Sequence, residues 1–151
     1  MSSETIIDME TDGLLDNVSK VHVVSHSNDP EGDPTSTHDP QDMIDLLHED
    51  RQFVCHNIIG YDREVWHKLL GVYVPNENCI DTLMLSRYLE FTRGSHGLES
   101  YGVENGIPKP KVDDWENLSD QEYAHRCEQD VLNNSKVWYK TLRPKLMELY
   151  G

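Results

Sequence analysis

Four acids interrupt the apolar segments of this chain. Asp8 and Glu10 close the strand-like run over residues 5–9, Asp62 follows the apolar run over residues 52–56, and Asp130 stands inside the apolar stretch from Cys127 to Leu132. A carboxylate on the inner face of an element is costly unless it is paired or coordinates a cation. A fold that serves all four must bring three separate segments to one point. Converging carboxylates repel one another, so cations are the simplest partner for them.

The pattern around these acids is that of an α/β protein. Residues 5–9, with two β-branched isoleucines, read as a strand, and Thr11-Asp12-Gly13 as a turn. Residues 20–25 alternate as a second strand, and residues 28–37 form a polar loop whose end has room for a short third strand. Asp39-Pro40 suits the N-cap and first position of a helix whose apolar face is Met43, Ile44, Leu46 and Leu47. Residues 52–56 read as a fully buried strand. Residues 61–70 then form a helix that turns Val65, Trp66, Leu69 and Leu70 inward and stops at Gly71. Further helices are expected over 80–89 and over 95–101, the latter ended by Gly102. Residues 107–111 read as an extended Pro-containing loop. Ser119-Asp-Gln-Glu122 is a capping box that opens a last helical region running to about Leu142, ahead of Pro144. Strands come early and helices late, with one helical crossover between strands. The expected architecture is one domain over residues 1–151, a mixed sheet flanked by helices.

Composition narrows the partners. The net charge is -15, and residues 1–50 hold thirteen acids against Lys20 alone. The bases gather late, at Lys109, Lys111, Lys136, Lys140, Arg143 and Lys145. A binder that relies on a broad basic patch is excluded, and any nucleic acid would have to meet cations and the later half of the chain. No apolar stretch approaches the ~20 residues of a membrane span. The first residues lack a basic region followed by an apolar run, so no secretory signal is expected. Cys55, Cys79 and Cys127 are widely spaced and odd in number, which fits free thiols in a reducing cytoplasm. His125 and Cys127 lack a second ligand pair at zinc spacing.

Asp8 and Glu10 share a face of their strand because side chains two apart point the same way. Taken alone, such a pair is most often two solvated acids. Asp62 is in the same way an ordinary first-turn residue, and Asn57 an ordinary turn former. Together the strings say more, since a buried strand delivers Asn57, Tyr61 and Asp62 to the sheet edge where Asp8 and Glu10 lie. His125 precedes Asp130 by five residues, about 140° of rotation and about 7.5 Å of rise on a regular α-helix. If both serve one site, the helix must break near His125; if it does not break, His125 is exposed.

These strings resemble the three motifs of the 3′–5′ exonucleases with four metal-binding acids, the DEDD or DnaQ-like superfamily with a ribonuclease H-like fold. Asp8 and Glu10 match the first motif, Asn57, Tyr61 and Asp62 the second, and Asp130 the third. With His125 five before Asp130, and Arg126 in place of a tyrosine four before it, the third string resembles the histidine branch. The flanks Glu77–Arg87 and Gly94–Gly102 resemble instead the proofreading domains of short-tailed phage family A DNA polymerases, which belong to the tyrosine branch.

The resemblance implies a ribonuclease H-like sheet and two divalent cations, Mg²⁺ or Mn²⁺, held by Asp8, Glu10, Asp62 and Asp130. Asp8 would bridge the pair and neutral His125 would be the general base. Met9, Thr11, Leu14, Asn57 and Tyr61 would contact the strand end, and Asp81 and His96 would be structural supports. The implied activity is release of nucleoside 5′-monophosphates from single-stranded or frayed DNA 3′ ends, by a stand-alone, phage-encoded enzyme in the host cytoplasm. A polymerase or single-strand-binding protein would be its partner. An RNA exonuclease for short oligoribonucleotides, or a non-catalytic docking module, are the competing expectations.

Overall fold

The structure is a computed structural model and describes residues 3–151. Its centre is the isoleucine-bearing strand, β1 (Ser3–Thr11), flanked by β2 (Val21–Ser27) and β4 (Arg51–Cys55). With β3 (Thr35–Thr37) and β5 (Cys79–Asp81) they form a five-stranded mixed sheet in the order β3-β2-β1-β4-β5. β1 runs antiparallel to β2 and parallel to β4, and β4 parallel to β5. This is the expected α/β architecture, including the short third strand.

Alternation along β1 divides the molecule into two layers. Ile7 and Met9 enter a core with Met43, Phe53, Cys55, Val65 and Trp66, built against α1 (Pro40–Leu47) and the helical segment after β4. Ile6 and Val54 enter a second core with Tyr101, Val131, Trp138 and Leu142, on the side of α5 (Asp120–Lys136). Asp39 caps α1 by accepting from the Gln41 N–H, with Pro40 in the first turn, as its sequence suggests.

The helical run after β4 starts on a left-handed residue, Asn57 (φ 70°), passes through the wide π-helical turn Ile58–Asp62, a single α turn α2 (Arg63–Val65) and a second wide turn, Trp66–Leu70, and ends at Gly71 (φ 70°). Asp81 holds its start. This carboxylate accepts from the backbone N–H groups of Asn57 (3.0 Å) and Ile59 (3.1 Å), and from those of Leu83 and Met84 as N-cap of α3 (Thr82–Leu89). Removing it leaves four backbone donors without their acceptor. Asp81→Ala is expected to cost about 2–4 kcal/mol in denaturant unfolding, with Asp81→Asn closer to wild type.

Several helix boundaries differ from their expected places, including the starts at Ile58 instead of 61 and at Leu98 instead of 95. Ile80 and Asp81 pair with Val54 and Cys55 as an edge strand, so α3 begins only at Thr82. α4 (Leu98–Asn105) runs through Gly102 to a left-handed Gly106. Gly102 serves close packing there, because a Cβ would sit 2.6 Å from the Ile107 carbonyl oxygen. The last helix does not stop at Leu142. α5 continues through a π-helical segment, Val137–Leu142, into α6 (Arg143–Tyr150). Pro144 falls in the first turn of α6, where a proline is tolerated. The capping box at Ser119 and Glu122 is present as read. No helix among the described residues is long and apolar enough to cross a membrane.

Candidate metal centre

Parallel pairing sets the place of the site. The paired register of β1 and β4 stops at Ile6 and Val54, so Asp8 and Glu10 lie past the paired end of β4. The chain leaving β4 turns there through Asn57 into the helix that carries Asp62. Crevices at the carboxyl ends of parallel strands are general ligand sites in open α/β sheets. α5 packs across β1 and β2 and contributes Asp130.

The four acids meet in two groups that share one member. Ligand atoms of Asp8, Glu10 and Asp130 lie within 4.8 Å of one another, and so do those of Asp8, Cys55 and Asp62. Asp62 and Asp130 are buried, while Asp8 and Glu10 keep some access to solvent. Burial, and then the charges of Asp130, Asp62 and Glu10, push the Asp8 carboxyl well above the usual carboxylate range. Burial likewise raises Glu10, against the pull of Lys109, and raises Asp62 to about 7. Two buried thiols flank the group. Cys127 donates to Asp8 Oδ2 at 3.8 Å, and the Cys55 thiol, raised by burial and then by the charge of Asp62, stays protonated against Asp62. A site whose acids resist ionisation in the absence of cations, with mostly hard oxygen donors, fits Mg²⁺ or Mn²⁺.

The remaining expected residues fall in different places. Thr11 follows a register shift between Glu10 and Thr11, and a bulge at such a point re-aims the side chain. Its hydroxyl lies 2.6 Å from that of Tyr61, which donates to the Gly13 carbonyl at 2.5 Å, so both tie the β1–β2 turn to the helix of Asp62. Leu14 stands on that turn, 76% exposed. Asn57 takes the left-handed turn position, and its Oδ1 covers Gly60, where a Cβ would meet it at 2.5 Å. The Met9 side chain is buried in the core on the opposite layer. Asp81 and His96 are supports: His96 bonds Ser86 Oγ through Nδ1, and its carbonyl accepts from His56 Nε2.

His125 is not brought to the acids. α5 is unbroken from Asp120 to Lys136, so the expected break near His125 is absent and the imidazole is exposed. A regular helix beginning at a well-formed capping box leaves nothing to bend it there. His125 instead lines a cavity of about 360 Å³ between the start of α5 and residues 110–118. The buried residue one turn before Asp130 is Arg126, which donates to the Pro110 carbonyl at 2.7 Å and stacks over Trp115.

Sequence reasoning missed Lys109. Its Nζ lies 2.9 Å from Asp130 Oδ2, which makes it the one lysine or arginine paired with any of the four acids among the described residues. The signal was there in Pro108-Lys109-Pro110, since two prolines stiffen the backbone on either side of one charge.

No protein-family model matches this sequence, and no curated protein matches it. Solved structures do. The chain is similar to the NrnC protein of Brucella melitensis bound to pGG (TM-score 0.74, 20% identity, covering 97% of this chain and 74% of that one). It is similar to Escherichia coli RNase D, an exoribonuclease (TM-score 0.70, 16% identity, 97% and 40%). It is also similar to E. coli Exonuclease I in complex with a dT13 oligonucleotide (TM-score 0.63, 16% identity, 99% and 43%). At these identities the likeness is one of architecture, and the chain has the ribonuclease H-like fold of these exonucleases.

Proposed function

We propose that the chain is a divalent-metal-dependent 3′–5′ exonuclease that hydrolyses the terminal phosphodiester of single-stranded or frayed DNA and releases nucleoside 5′-monophosphates. The observation that carries this reading is the pair of ligand groups sharing Asp8. Asp8 would bridge two cations, with Glu10 and Asp130 on one side and Asp62 on the other. Mg²⁺ or Mn²⁺ bound there supplies the positive charge that activates water and neutralises the leaving 3′ oxygen. Thr11 and Tyr61, joined through their hydroxyls, and exposed Leu14 on the adjoining turn would position the terminal nucleotide.

DNA as substrate rests on the resemblance of the flanking segments to phage polymerase proofreading domains, with a polymerase or single-strand-binding protein as partner in a host cytoplasm. A second reading, cleavage of short oligoribonucleotides, draws on the pGG-bound Brucella protein and on RNase D. The net charge of -15 also favours short substrates, because a long phosphate backbone would be repelled.

The test is a 5′-labelled single-stranded DNA and the matching RNA, incubated with Mg²⁺ or Mn²⁺, with EDTA and Asp8→Asn as controls. A ladder shortening from the 3′ end, lost in both controls, supports the exonuclease and ranks the two sugars. No cleavage of either strand moves the reading to a docking module. His125 belongs to the same experiment. As general base it would need the first two turns of α5 to open, and His125→Ala would then lower turnover with cation binding unchanged. Unchanged turnover removes it from the chemistry.

A further inference from the structure

The acids of the centre already hold a cation that belongs to the chain. Lys109 Nζ donates to Asp130 Oδ2 at 2.9 Å, in a pair whose aspartate side chain is only 12% exposed. Burial works against the Lys109 ammonium, and the neighbouring charges of Asp130, Glu10 and Asp8 outweigh it. The pair is built rather than accidental. Pro108 and Pro110 fix the backbone on both sides of Lys109. The Pro110 carbonyl is held by Arg126, whose guanidinium also stacks on Trp115 at 4.6 Å from the ring centre. Arg126 stands one helical turn before Asp130, so α5 anchors the loop beside the carboxylate that the loop neutralises.

We propose that Lys109 sets the cation affinity of this centre: its tethered ammonium satisfies Asp130 in the metal-free protein and must leave before a divalent cation can use that carboxylate. The inference rests on the metal-site reading above. Each cation bound at Asp130 breaks one ion pair, so the measured affinity is the intrinsic affinity reduced by the fraction of molecules with the loop closed. The same pair protects the fold when cations are scarce, because it offsets the repulsion among the acids.

The experiment compares Mn²⁺ binding by electron paramagnetic resonance of the free ion, together with melting in EDTA and in Mn²⁺, for wild type, Lys109→Met, Lys109→Arg and Lys111→Met. Lys109→Met is expected to bind Mn²⁺ about twofold to fivefold more tightly, the range of a partly exposed ion pair. It should also melt below wild type in EDTA and gain more from Mn²⁺. Lys109→Arg keeps the charge, and Lys111→Met leaves the pair intact, so both should bind as wild type does. Equal or weaker Mn²⁺ affinity in Lys109→Met overturns the proposal. Absence of Mn²⁺ binding in wild type and every variant overturns the metal reading itself, a result distinct from the first. Should Lys109→Met not fold, the neutral Lys109→Gln carries the same expectation.

Discussion

Asp8→Asn is expected to lower turnover by at least about 1,000-fold while raising the melting temperature of the metal-free protein. Asp8 is the one acid shared by both ligand groups, so its loss affects both proposed cations at once. Several kcal/mol of transition-state charge stabilisation would go with them, which sets the size of the effect. Stability moves the other way because Asp8 is held against burial and against the charges of Asp130, Asp62 and Glu10. A neutral amide of the same shape removes that repulsion and can still accept from Cys127. Melting in EDTA and turnover in Mg²⁺, measured on one preparation, check both halves. A variant that is inactive and also less stable in EDTA would show that the carboxylate is structural.

Cation binding should strengthen as pH rises through about 7. Asp62 ionises at about 7 in the folded chain, against an ordinary value of 3.8. Below about 7 a cation must displace its proton, so affinity falls about tenfold for each pH unit, and about 100-fold between pH 8 and pH 5. Calorimetry in buffers of different ionisation heats reads the released proton directly. The metal-free fold responds with the opposite sign. Between pH 3.8 and about 7 the folded state holds a proton that the unfolded state has lost, so stability falls as pH rises through that window. Asp8 and Glu10, also raised, act in the same direction. Divalent cations added at pH 7 should restore what the rise in pH removed. A metal-free melting temperature that climbs from pH 4 to pH 7 would count against the raised carboxyls.

Much of the site was legible because local rules governed it. Period-2 alternation put Asp8 and Glu10 on one face of β1, and the same rule sends the Met9 side chain to the opposite core. The capping box at Ser119 and Glu122 located the start of α5, and that very regularity keeps His125 from sharing a face with Asp130. Gly102 had the residue type of a helix stop and is a close-packing position, a difference that depends on Ile107 and Asn133 reaching it from elsewhere in the chain. Ile80 and Asp81 read equally as the start of a helix, and only the exposed edge of β4 made them a strand.

The sequence alone determined the first four strands and the helices that follow them, the identity of the four acids, the caps of α1 and α5, and the acidic surface that limits nucleic-acid partners. These follow from spacing, turn chemistry and charge, which are properties of neighbouring residues. The tertiary structure decided which acids share a ligand group, that Asp8 is common to both, that two thiols flank them and that Lys109 neutralises Asp130. Those contacts join residues up to 119 positions apart. Their distances, and the burial that moves the acids' ionisation, exist only once the sheet and α5 have closed around them.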